Sequence, residues 1–240
     1  MAFDRALRLA AEPVPLPERR LELIPALSTA SRIVRDHGIA PQAHGGAGSH
    51  ELRLPGIGGR YLAGIATHVA AQGWPAADAG ALVAALEDRC AMWIVCSSGA
   101  ALVRAGLAPE APHARRAAAA RFSGGRWGRI RIPAPETVAD LMRAGIARGA
   151  VCAAAESGRL PPSSYVRAAA AGGAHTASME RGVARALDAR WAIELLVAPS
   201  IPSGSLVGLR EQVAAAPRCG WCRAPLVGSI CRRCAPAIRT

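Results

Sequence analysis

The chain has 240 residues, a formal charge of +12 and a sequence pI near 10.9, so it has room for a sizeable core and an electrostatic bias toward anionic partners. Every basic residue is Arg; Lys and Asn do not occur, which excludes P-loop, Schiff-base and Ser-x-x-Lys chemistry. Hydrophobic residues make up 51% with Ala dominant and only two Phe and two Tyr, a composition that points to close-packed helices and, in part, to GC-rich codon usage.

From the N-terminus, residues 3–11 read as a short helix ended by Pro13, Pro15 and Pro17. Residues 18–36 read as a longer one, with Leu21, Ile24, Leu27, Ile33 and Val34 on one stripe. The Gly-rich loop 40–49 carries His44, with His37 and His50 at its edges; no regular ligand spacing supports a metal there. Residues 51–55 are a candidate strand. The glycines after it, Gly56, Gly58 and Gly59, lack the third position of a dinucleotide fingerprint, where Tyr61 stands. Residues 60–72 and 75–107 follow as helices, the second broken near Ser97-Ser98-Gly99, with Trp74 and Trp93 in the core. The longest uncharged run, 91–103, is too short to span a bilayer, and Asp4 and Arg5 interrupt any N-terminal leader. The expectation is a soluble cytoplasmic protein in which Cys90, Cys96 and Cys152 are reduced.

A composition shift at 109–112 marks a boundary. Six arginines and no acid lie between 111 and 135: Arg115, Arg116, Arg121, Arg126, Arg129 and Arg131. Ser123-Gly124-Gly125 ends an Ala/Arg helix, and 127–132 alternates as a strand with Trp127, Arg129 and Arg131 on one face and Ile130 and Ile132 on the other. Arginines beside an exposed aromatic suit phosphates and stacked bases; an ordinary solvated edge strand is the competing reading.

Thr137 with Asp140 forms a capping-box pattern ahead of a helix over 138–143; Gly145 to Arg148 makes a turn, 148–157 a second helix, and Gly158-Arg159-Leu160-Pro161 closes the unit. This stretch resembles the helix-turn-helix of excisionase-type, MerR-like DNA-binding proteins over residues 137–161. The resemblance implies phosphate contacts from Arg148 and Arg159. Ala153, Ala154 and Ala155 are too short to read base edges. Two core helices joined by a Gly turn remain the alternative. Residues 163–171 form a short helix ended at Gly172-Gly173. Residues 176–197 read as a long amphipathic helix with Val183, Leu187, Trp191 and Leu195 on one stripe, and a last helix runs to Ala216.

Near the C-terminus, Cys219-x-x-Cys222 and Cys231-x-x-Cys234 are separated by eight residues. Paired knuckles of this kind can close a four-sulfur site, with disulfides or a redox pair as alternatives. The stretch 218–235 resembles a zinc ribbon, which implies one structural Zn2+ held by Cys219, Cys222, Cys231 and Cys234. Arg223, Arg232 and Arg233 would make that module a second basic anchor.

The sequence reading is therefore a mainly α protein with a few short strands and a C-terminal zinc ribbon, divided at 1–108, 109–216 and 217–240. No catalytic motif stands out, and His68 and His175 read as structural, so the chain is not expected to be an enzyme. The expected function is nucleic-acid binding, DNA favoured, as an accessory or regulatory protein of a plasmid, phage or other mobile element. The phosphate contacts would come from Arg115, Arg116, Arg126, Arg129, Arg131, Arg148, Arg159, Arg223, Arg232 and Arg233, with Trp127 stacking. The alternatives are an RNA-binding subunit of a ribonucleoprotein such as a CRISPR effector complex, and a protein-interaction adaptor. Partner subunits are allowed for; a membrane is not.

Overall fold

A computed structural model describes residues 54–108, 116–179, 182–201, 206–220, 223, 225 and 226. The expected helices at 3–11 and 18–36, the histidine loop, most of the 51–55 strand, the 109–112 boundary, Arg115, Cys222, Cys231, Cys234, Arg232 and Arg233 lie outside the described residues. The described elements are α1 (Gly56–Ala71), α2 (Ala76–Arg89), β1 (Ala91–Cys96), α3 (Gly99–Arg104), β2 (Ala118–Ser123), β3 (Arg126–Ile130), α4 (Pro135–Ala147), β4 (Ala150–Gly158), α5 (Ser164–Ala171), β5 (His175–Met179), α6 (Val183–Ala186), β6 (Trp191–Pro199) and α7 (Leu206–Ala215).

The six strands form one sheet in the order β3-β2-β1-β6-β4-β5. All neighbours are antiparallel except β4 and β5, which run parallel through the crossover helix α5. This α/β architecture corrects the expected mainly α class. The strands were misread because alanine fills them: β2 is AAARFS and β4 is AVCAAAESG. Alanine is the best helix former, and a strand buried on both faces shows a continuous apolar run rather than alternation. The expected 75–107 helix is α2, β1 and α3 in succession, and the 176–197 helix is β5, α6 and β6.

The helix-turn-helix resemblance fails for the same reason. Its first helix exists as α4, but its second is β4, the strand between β6 and β5. Gly149, in the left-handed region at φ +74°, turns the chain out of α4 directly into that strand.

Side chains of the sheet build two cores. On one face Met92, Ile94, Ala120, Phe122, Ala155, Ala192 and Leu196 pack with Ile57, Tyr61 and Leu62 of α1 and Leu82 and Leu86 of α2. On the other, Trp93, Val95, Cys152, Ile193 and Leu195 pack beneath Val138 and Met142 of α4 and Ala169 of α5. The two Trp expected in the core, Trp74 and Trp93, are both buried. Among the described residues Cys90, Cys96 and Cys152 are free and buried, and Cys219 is buried.

Candidate functional site: a carboxyl sealed beneath helix α1

Strand β6, WAIELLVAP, is the spine of the sheet, paired on both sides by β1 and β4. Its alternation sends Ala192, Glu194, Leu196 and Ala198 to one face. Glu194 is thus a lone acid in an apolar layer, 1% exposed, between Ile94 on β1 and Ala155 on β4. Burying a carboxylate there is costly unless it is neutralised or hydrogen-bonded.

The first turn of α1 meets that carboxyl. The Ile57 N–H donates to Glu194 Oε2 at 2.7 Å, so a side chain 137 residues away caps the helix N-terminus. Gly56 makes the approach possible: its φ is +53°, and a Cβ there would fall 1.8 Å from Glu194 Oε2. Burial pushes the Glu194 pKa up, opposed by the Ile57 N–H, then by the Arg60 charge, then by the Val183 N–H. Arg60, one turn into α1, is itself drawn below the ordinary arginine value by burial, with Glu194 opposing. The remaining oxygen, Glu194 Oε1, is buried and has no hydrogen-bond partner among the described residues. A neutral Glu194 that accepts at Oε2 carries its O–H at Oε1. The site therefore leaves one buried carboxyl oxygen unanswered beside a partly desolvated cation.

Hydrogen bonds tie the surroundings together. Glu87, also buried, accepts from the Leu54 N–H at 3.1 Å. The Tyr61 hydroxyl donates to the Pro199 carbonyl, tying α1 to the end of β6. Burial, and then Glu87, pushes the Cys90 thiol up to about 12. The serines near the strand ends are engaged by backbone: Ser157 Oγ accepts from the Ala184 N–H at 3.0 Å and Ser97 Oγ from the Arg190 N–H at 2.9 Å.

The sheet does not gather the arginines named from sequence. Arg116 and Arg159 lie at the end where β1 and β4 finish, because Cys96 pairs with Ala118 and Gly158 with Trp191. Arg126 and Arg148 lie at the opposite end: Arg126 turns the hairpin opposite Ser123, and Arg148 precedes β4. Arg148 and Arg159 bracket a nine-residue strand, about 30 Å apart. Arg129 sits on edge strand β3 and Arg131 just beyond it. Trp127 packs against the core, its ring tilted 59° to that of Phe122 at 5.4 Å, and is no open platform for bases. Arg223 stands in a C-terminal turn anchored by Arg218, which pairs with buried Asp78 of α2 at 2.9 Å. The expectation of a continuous nucleic-acid surface, DNA or RNA, is corrected accordingly. The adaptor reading loses its docking helix, which is β5, α6 and β6.

The zinc expectation is corrected too. Among the described residues no group of three or more His, Cys, Asp or Glu side chains could hold a metal ion, and of the four cysteines only Cys219 is described. Among these residues no helix is long and apolar enough to cross a membrane.

No family model matches the sequence, and no curated protein does. Solved structures do overlap it. A DegV family protein from Corynebacterium glutamicum is 17% identical over 82% of this chain and 83% of its own, with a TM-score of 0.47. DegV from Bacillus subtilis, described as a fatty acid binding protein, is 11% identical over 82% and 76%, with a TM-score of 0.49. A fatty acid binding DegV family protein from Streptococcus agalactiae is 12% identical over 71% and 64%, with a TM-score of 0.48. Of these three, the Bacillus subtilis and Streptococcus agalactiae proteins are described as binding fatty acids.

Sequence reasoning missed Glu194. The signal was present: one acid in the run AIELLVA, unremarkable on a helix but central and buried on a strand.

Proposed function

We propose that this chain is a non-catalytic, cytoplasmic binding protein for a monocarboxylic acid with an apolar tail. The observation that carries the reading is Glu194 Oε1, a buried oxygen without a partner beside Arg60. A buried O–H needs an acceptor. A ligand carboxylate supplies one: one oxygen takes the Glu194 proton and the other meets the Arg60 guanidinium, a charge-assisted pair stronger than a neutral one. A tail would find apolar company, since the Glu194 carboxyl and Val183 both lie against Gly56 and Leu54, Ile57 and Leu196 belong to the same core cluster as Val183. Ser157 and Ser97 are occupied by backbone N–H groups, and Cys90, Cys96 and Cys152 are buried, which favours binding over turnover at this site. Fatty acids, which two of the DegV proteins above are described as binding, belong to this ligand class.

The test is the pH profile of displacement of a fluorescent fatty acid by hexadecanoate. Wild type should weaken as pH rises and Glu194 loses its proton, because two carboxylates then face each other. Glu194→Gln keeps an N–H donor at the same place and should bind with a flat profile. Arg60→Met should lose at least tenfold, as expected for a charged hydrogen bond. Saturable binding with the same pH slope in wild type and Glu194→Gln would refute the assignment.

A further inference from the structure

One end of the sheet combines positive charge with an exposed apolar tip. Arg159 and Arg190 are adjacent there, the Arg159 N–H donating to the Arg190 carbonyl at 2.7 Å. Arg190 in turn rests on Ser97, and the Gly99 N–H donates to the Arg116 carbonyl at 2.9 Å. Arg104 closes the group. All four are exposed, and the exposed carboxylate of these loops, Asp188, is spent on Arg104 at 3.4 Å. Arg116, Arg159 and Arg190 make no ion pair with a carboxylate among the described residues.

Leu160 projects from the middle of this field. It is 80% exposed, the most exposed large hydrophobic residue among those described, and its φ is +51°. A branched side chain in the left-handed region is strained, and such strain concentrates where a side chain must be presented. Pro161 and Pro162 follow and stiffen the tip.

From this juxtaposition we infer that the Arg116–Arg159–Arg190 end is a docking surface for an anionic lipid bilayer, with Leu160 entering the interface and the guanidinium groups meeting phosphate headgroups. Charge complementarity selects the occupant. A polyanion without an apolar layer leaves Leu160 unused, whereas a membrane interface takes both a cation ring and an aliphatic wedge. The surface stands apart from the Glu194 site and does not depend on what that site binds.

Co-sedimentation of the full chain with vesicles tests this. Vesicles of equal parts phosphatidylglycerol and phosphatidylcholine should pellet the protein; pure phosphatidylcholine should not, and added salt should release it. The double variant Arg159→Gln, Arg190→Gln should bind roughly thirty-fold more weakly, from about one interfacial cation's worth each. Leu160→Ser should lose about tenfold at unchanged charge, the value of one buried leucine. Arg126→Gln at the opposite end should leave partitioning unchanged. The inference is overturned if the wild type stays in the supernatant with the anionic vesicles. It is equally overturned if Leu160→Ser partitions as wild type, or if Arg126→Gln weakens binding as much as a substitution at Arg159. Circular dichroism of each variant separates misfolding from lost docking.

Discussion

Replacing Glu194 by Gln should change how stability depends on pH more than it changes stability itself. Glu194 is wholly buried, and burial raises its folded-state pKa above the ordinary 4.5. A raised carboxyl favours the native state fully below the unfolded pKa, and that contribution is lost as pH rises through the folded one. Between those two values each pH unit removes just over ~1 kcal/mol from wild type. Gln fills the same volume, accepts the same Ile57 N–H and does not titrate. Urea unfolding followed by fluorescence, with Trp74 and Trp93 both buried reporters, gives the two free energies at each pH. The difference, wild type minus Glu194→Gln, should fall as pH rises from 4.5 and then level off. Other groups cancel because the proteins differ at one position. A difference that stays constant, or grows with pH, would refute a neutral Glu194 in the native protein.

Four further outcomes follow from the structure. Gly56→Ala should cost at least about 2 kcal/mol in chemical denaturation, because left-handed backbone alone costs about 1 kcal/mol and the new Cβ must push the Glu194 carboxyl aside. Gly208→Ala, on exposed α7 with open space at its Cβ, should instead raise thermal stability by about 0.5–1 kcal/mol. A double-mutant cycle on Asp78 and Arg218 should return a coupling of about 1–2 kcal/mol, since Asp78 is nearly buried while Arg218 keeps contact with water. Cys90, buried and with its thiol pushed up to about 12, should resist iodoacetamide at neutral pH and react once urea unfolds the chain, as peptide mass mapping will show.

Helix stops at glycine and proline were legible, whereas the amphipathic stripe over 176–197 was not a helix. α5 and α7 end where Gly172-Gly173 and Pro217 stop them, α1 overlaps the expected 60–72 helix but begins at Gly56, and β3 appears where Trp127 to Ile132 alternates. The central strands were not legible because their side chains carry no strand signature. Ala119 and Ala120 in β2, and Ala153 to Ala155 in β4, favour helix locally and become strand only by pairing with distant partners. That misassignment hid the site. Glu194 on a helix would have been one more polar residue; on β6 it faces the first turn of α1 across 137 residues. The arginine clusters were real in sequence, but register decides which end of a strand each residue occupies. The nine residues of β4 part Arg148 from Arg159.

Calorimetric titration with hexadecanoate and with its methyl ester tests the central claim most directly. The two share a tail and differ at the group assigned to Glu194 and Arg60. The account predicts saturable one-to-one binding of the acid, at least tenfold weaker binding of the ester, and loss of that preference in Arg60→Met. Equal affinity for acid and ester, or a preference untouched by Arg60→Met, contradicts it.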